Sequence, residues 1–192
     1  LNNAGKSGDN IIIILNHNDM SISKNVVDST KAFIERNENS FKSFPINIEE
    51  IVRNERINIV EHEFNDEASG ILVISDENIT IGVDKNSGNE RKRFTIAHEL
   101  GHYVLHNERS NMFVDKVFFR KKSDGYTSKE EKIEREANYF AANILMPEKL
   151  IFQAVSNLTC DLYEDETVYN LAKDFNVSSS AMLYRLINLG VL

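Results

Sequence analysis

The chain has one cysteine, Cys160, in 192 residues. A single thiol cannot close an internal disulfide, and such a chain fits a reducing compartment, most simply the cytoplasm. Two prolines exclude a Pro-rich linker protein. Long apolar runs are also lacking. The longest near the start, IIIIL at 11–15, falls far short of the roughly 20 residues that a helix needs to cross a bilayer. Its flanks are rich in Asn and Asp and carry no cationic stretch, which argues against a secretion signal. Positive charge is in deficit: 22 Lys and Arg against 30 Asp and Glu give a net charge of -8. A non-specific nucleic-acid binder needs the opposite balance to displace counterions, although a small DNA-reading module would still be compatible with it. Against these absences stands a hydrophobic content of 41%, rich in Ile, Leu, Val and Phe. That is enough to bury the core of one soluble globular domain.

Periodicity divides the chain into short elements. Residues 1–10 read as a frayed terminus and 11–15 as a short strand. Val26, Val27, Thr30, Phe33 and Ile34 recur at helical spacing and predict a helix over 24–37. Asn47 with Glu50 has the form of a capping box and opens a short helix ending near Asn54. Strands are expected over 57–64, 71–74 and 79–83. The last two are separated by the turn-forming SDEN, and the three together suggest a small antiparallel sheet. A helix is expected over 90–106, a possible strand within 112–119, and a helix from Ser128 to the stop at Pro147. Pro147 opens a further short helix, and the tail from Glu166 reads as two helices split at 176–178.

The segment AHELGH carries the chemistry. His98 and His102 lie four residues apart within a helical pattern, so both imidazoles project from one face and can converge on one cation. Such an ion lowers the pKa of a coordinated water to about 7. Glu99, one step along the helix, is placed to take the water's proton as general base.

A catalytic site of this type needs a third protein ligand and an open position. His106 is a poor choice, because on a straight helix it lies about 12 Å along the axis from His98. It reads instead as a residue behind the ligands or packed at the helix end. The helix containing EREANYFAANILMP offers Glu134 and Glu136. Glu136 shares a side with Tyr139 and Phe140 that turns toward the core, and is preferred on that ground, with Glu134 in reserve.

The text NERKRFTIAHELGHYVLH followed by EREANYFAANILMP resembles the ImmA/IrrE family of metallopeptidases. The resemblance is strong over 91–106 and 134–147. It extends more loosely from about Phe44 and into the tail LAKDFNVSSSAMLYRLINLGVL. It implies an α+β, zincin-like fold with a small antiparallel sheet beside the HExxH helix and a helical tail. It also implies metal ligands at His98, His102 and Glu136, with Glu99 as base, and a Zn²⁺ cofactor with Mn²⁺ as the alternative. The implied activity is intracellular endoproteolysis of a helix-turn-helix repressor of a mobile element, prophage or stress response. The corresponding division of the chain is an N-terminal extension at 1–22, a peptidase domain at 23–157 and a helix-turn-helix-like segment at 158–192.

Several further expectations follow. The strand at 79–83, or one paired to it, would align an extended peptide beside the metal. Tyr103, His106, Tyr139 and Tyr163 are available to stabilise an oxyanion, but each reads first as a packing residue. Arg91 and Arg93 oppose the dipole at the start of the HExxH helix, so an acidic partner is expected, with 129–136 (KEEKIERE) as one source. The tail has the spacing of a helix-turn-helix, but its second helix offers only Arg185, which favours packing or protein docking over DNA reading. The rival to a protease is a non-proteolytic metal-containing regulator, or an antitoxin-like protein that acts by binding a partner.

Overall fold

The computed structural model describes residues 22–64, 68–106, 112–116, 128–158, 162 and 164–192. The expected strand at 11–15, nearly all of the N-terminal extension, Cys160 and Tyr163 lie outside them. The elements run in the order α1 (Lys24–Arg36), a 3₁₀ turn (Glu38–Phe41), α2 (Ile48–Asn54), β1 (Ile57–His62), β2 (Ala68–Ile74) and β3 (Ile79–Asp84). The order continues with α3 (Asn89–His106), β4 (Met112–Lys116), α4 (Ser128–Leu145), α5 (Glu148–Ser156), α6 (Asp165–Phe175) and α7 (Ser179–Asn188). Local chemistry accounts for many of the boundaries. At α2, the Asn47 side chain caps the helix by accepting from Glu50 N–H, and its amide donates to the Glu50 carboxylate at 3.1 Å, a side-chain bond in place of the backbone half of a capping box. Ser178 caps α7 by accepting from Ala181 N–H.

The four strands form one sheet in the order β1-β3-β2-β4. Ser75 and Asn78 close the β2–β3 turn through backbone and side-chain bonds, and β2 is antiparallel to both β3 and β4. The expectation of a wholly antiparallel sheet is corrected at one pairing: β1 runs parallel to β3, with Ile57 beside Ile79 and Ile81 beside Ile59. The chain reverses once between β1 and β2 and again between β2 and β3, so the first and third strands share a direction. Because β3 inserts between the other two, it meets β1 in parallel. This order also places β3 between two neighbours, so it has no edge to offer a peptide.

Helix α3 packs on β2 and β3 on one side and on α4 on the other. It is therefore the buried spine of an α+β fold, and His98, Glu99, Leu100 and His102 are all buried. One continuous apolar cluster joins α1, α2, the sheet and α3–α7. Phe33 of α1 meets Phe140 of α4 edge to face at 5.2 Å. Phe44, ahead of α2, stacks on Phe175 of α6 at 4.2 Å.

Two buried arginines join the C-terminal helices to this body. Arg185 of α7 donates to the Met146 carbonyl at 3.0 Å and to Asn143 Oδ1 at 2.9 Å. Arg93 of α3 donates to the carbonyls of Ile46 at 2.8 Å and Asn176 at 3.2 Å. The expected acidic partner from 129–136 is thus replaced at Arg93 by two carbonyls, with Glu49 adding a favourable charge. Asn176 itself sits in the left-handed region (φ 54°) between α6 and α7, a conformation that Asn tolerates better than most residues. Arg185 is 7% exposed, so the one cation on the second tail helix is spent on packing and does not face a phosphate. Among the described residues no helix is long and apolar enough to cross a membrane.

Candidate metal centre

The helical spacing of His98 and His102 brings their Nε2 atoms within 3.0 Å of each other. The opposite nitrogens face different partners. Nδ1 of His98 lies 2.9 Å from Asn138 Oδ1. A carbonyl oxygen only accepts, so His98 donates from Nδ1 and its Nε2 lone pair faces His102. Nδ1 of His102 lies 3.2 Å from Nδ1 of His106.

Helix α4 supplies the carboxylate. The Glu134 oxygens lie 3.1 Å from His98 Nε2 and 3.4 Å from His102 Nε2. His98, His102 and Glu134 can each offer a ligand atom within 4.8 Å of the others. The preference for Glu136 is corrected by the same geometry, because its carboxylate lies 3.0 Å from His106 Nε2. Two residues on a helix are turned about 200° apart, so the two glutamates serve different faces of α4. The face closest to α3 is fixed by small residues. A Cβ added to Gly101 would lie 3.1 Å from the Ala137 carbonyl and 3.2 Å from Phe140 Cβ, so only glycine lets the helices approach this closely. Glu134, Ala137, Asn138 and Ala141 then follow at i, i+3, i+4 and i+7 along the contact. The core-facing position of Glu136 beside Phe140 was a correct inference about burial, but it pointed to the wrong partner.

The electrostatics suit a cation. Burial lowers the His102 pKa to about 4, with partial opposition from the adjacent Glu134 carboxylate and a further lowering by His98. The imidazole is therefore neutral at pH 7, as ligation requires. Burial would raise the Glu134 carboxyl, but the adjacent His102 and His98 outweigh this and hold it well below the usual carboxylate range. Two imidazoles and an ionised carboxylate converge with lone pairs facing one point, a donor set that fits Zn²⁺ and also Mn²⁺. Glu134 is the partly exposed member, at 18% of its side chain.

Glu99 is wholly buried and lies against β2. A Cβ on Gly70 would clash with Thr95 Cγ2 and fall 2.8 Å from Glu99 Oε1, so glycine lets the sheet close beside this carboxylate. Of the other candidates, Tyr103 packs against the core, and the Tyr139 backbone carbonyl accepts from Asn143. Sequence reasoning missed Asn138, Gly70 and Gly101. The small-residue spacing on α4 was the available signal for the first and last of these, whereas Gly70 carried none.

The chain is similar to known metallopeptidases. The chain is 29% identical over 148 residues to "Metallopeptidase ImmA" of Bacillus subtilis (strain 168), covering 75% of this chain and 77% of that protein. It is 35% identical over 99 residues to "Radiation response metalloprotease IrrE" of Deinococcus radiodurans, covering 50% of this chain and 27% of that one. A solved structure titled "Mycobacterium tuberculosis transcriptional regulator" superposes with a TM-score of 0.55 at 19% identity. It covers 83% of this chain, which spans about half (46%) of that one, and it supports the fold alone. A family model for 1-deoxy-D-xylulose-5-phosphate synthase matches residues 1–75, less than half of the chain and only Gly70 among the residues discussed at this centre. The peptidase M78 model, described as the IrrE N-terminal-like domain, matches residues 52–187 and thus α3, α4 and every residue of the His98–His102–Glu134 cluster, so the chain belongs to this family of metallopeptidases.

Proposed function

We propose that the protein is a zinc-dependent endopeptidase that cuts a helix-turn-helix transcriptional repressor in the cytoplasm. In this reading His98, His102 and Glu134 hold the cation and Glu99 is the general base. The convergence of the two Nε2 atoms with the Glu134 carboxylate, with Glu99 buried on the same helix as the histidines, is the observation that carries it. A bound divalent cation supplies Lewis acidity and brings the pKa of a water toward neutrality. Glu99 takes that water's proton and returns it to the leaving amine. Asn138 holds His98 in the tautomer that presents Nε2. Mn²⁺ fits the same donors and is the alternative ion.

The repressor substrate is supported by the family resemblance of the sequence and by charge. A net charge of -8 attracts a basic DNA-binding protein, and cleavage should then slow as salt rises. Extended substrate would be aligned at a sheet edge. Strand β3 has neighbours on both sides, so among the described residues the edge strands are β1 and β4, and β4 is the one paired with β2. Since β2 carries Gly70 against Glu99, an added strand there would pass near the base. Proline substitutions in β4 should then abolish cleavage and leave metal content intact.

The deciding experiment incubates the purified protein with the helix-turn-helix regulator encoded beside it, with and without chelator, and reads fragments by mass spectrometry. A single chelator-sensitive cut supports the reading, and an intact regulator under metal-replete conditions overturns the substrate assignment.

A further inference from the structure

Two buried groups lie behind the candidate ligands without joining them. His106, the last residue of α3, is 1% exposed, and Glu136 of α4 is 3% exposed. His106 Nε2 lies 3.0 Å from Glu136 Oε2, and His106 Nδ1 lies 3.2 Å from His102 Nδ1. Lys132 approaches the second Glu136 oxygen at 3.8 Å.

We propose that Glu136 and His106 form a hydrogen-bonded relay that fixes the tautomer of His102, which makes them positioning residues for the bound ion. The proposal rests on the reading of His98, His102 and Glu134 as the ligands. A carboxylate facing Nε2 places the His106 proton on that nitrogen. With one proton, the His106 ring presents a lone pair at Nδ1. The contact between the two Nδ1 atoms then needs a donor, which must be His102. A proton on Nδ1 of His102 leaves the lone pair of its Nε2 facing Glu134 and His98. The reverse assignment would place the His102 proton on Nε2, where a cation must bind. The His98–Asn138 bond does the same for the other imidazole, so each histidine is set from behind by a different acceptor. A carboxylate at the end of such a chain also strengthens the ligand as a base. Arrangements of this type are worth about 10- to 100-fold in metal affinity. The relay gives Glu136 a role although it is not a ligand, and it gives one to His106 although it lies too far along α3 to share an ion with His98.

Zinc affinity of the full chain, measured by competition with a chromophoric chelator, tests the relay in the wild type, Glu136→Leu and Glu136→Gln. Leu removes the accepting oxygens and should weaken binding by about 10- to 100-fold. Gln keeps one accepting oxygen and the side-chain shape and should lose less. Long-range ¹H–¹⁵N spectra of the zinc-loaded wild type read the tautomers without any substitution, and His106 should carry its proton on Nε2. A Leu variant that binds within twofold of wild type, a Gln variant that loses as much as Leu, or a His106 proton on Nδ1 would each overturn the relay while leaving the metal site intact. A wild type that binds no zinc overturns the metal reading and the relay together.

Discussion

At the scale of single residues, Glu134 and Glu136 separate two properties that burial alone conflates. They serve different faces of α4, Glu136 buried and Glu134 partly exposed, and it is the partly exposed one that meets His98 and His102 while the other meets His106. Glu134→Ala should therefore lose the bound ion in metal analysis. Glu99→Gln should retain it and lose cleavage, and a Glu99→Gln protein with unchanged cellular phenotype would favour a non-proteolytic regulator. Gly70→Ala is expected to act on the base without touching a ligand. Its Cβ meets Thr95 and Glu99, so activity should fall while metal content stays near one ion per chain, as elemental analysis would show. The HExxH residues were legible because their spacing alone sets their geometry. Which glutamate meets the two histidines was not, because that depends on how α4 rotates against α3. Gly101 and Ala137 fix that rotation from both sides of the contact.

The elements themselves were largely legible. Apolar periodicity and local breaks located the starts of the α-helices of the described chain to within a residue or two, because devices such as the Asn47 and Ser178 caps are local. The parallel β1–β3 pairing was not legible, since alternation within a strand says nothing about which neighbour it takes. Packing between elements yields its own test. Gly101→Val would place branched carbon where Ala137 already stands at 3.1 Å. Overpacking of this type costs about 1–3 kcal/mol. It should also pull Glu134 away from the histidines, so a lower melting temperature and weaker metal binding should appear together. Arg185→Ala leaves the Met146 carbonyl and Asn143 without their buried donor. A loss of about 2–3 kcal/mol in chemical denaturation is expected, the cost of unsatisfied buried acceptors.

Over the whole molecule, acid should destabilise the metal-free protein earlier than its surface carboxylates would suggest. The unfolded chain takes up a proton at an ordinary histidine value of 6.5, whereas folded His102 resists until about 4. The stability that this group contributes is present above about 6.5 and is lost as the pH falls toward 4. A shift of that size corresponds to roughly 3 kcal/mol. Glu134, lowered from its ordinary value, adds to the loss at still lower pH. Melting of the chelator-treated protein between pH 7.5 and 4.5 would check this, and a flat profile would contradict it. The tail also belongs to this scale. Val168, Leu171, Phe175, Met182 and Leu186 lie in the same apolar cluster as the sheet and α3. A chain cut before α6 should expose that surface and fail to unfold cooperatively in a calorimeter.

Arg93 carries a consequence for timing. From one turn before His98, its guanidinium reaches back 47 residues to Ile46 and forward 83 residues to Asn176. The second of those carbonyls is made 83 residues after Arg93 itself. A nascent chain that already holds both histidines and both glutamates still lacks the group that seats the first turn of its catalytic helix. Seating of the HExxH helix should accordingly arrive with α6 and α7 and not with the histidines and glutamates that the helix brings together.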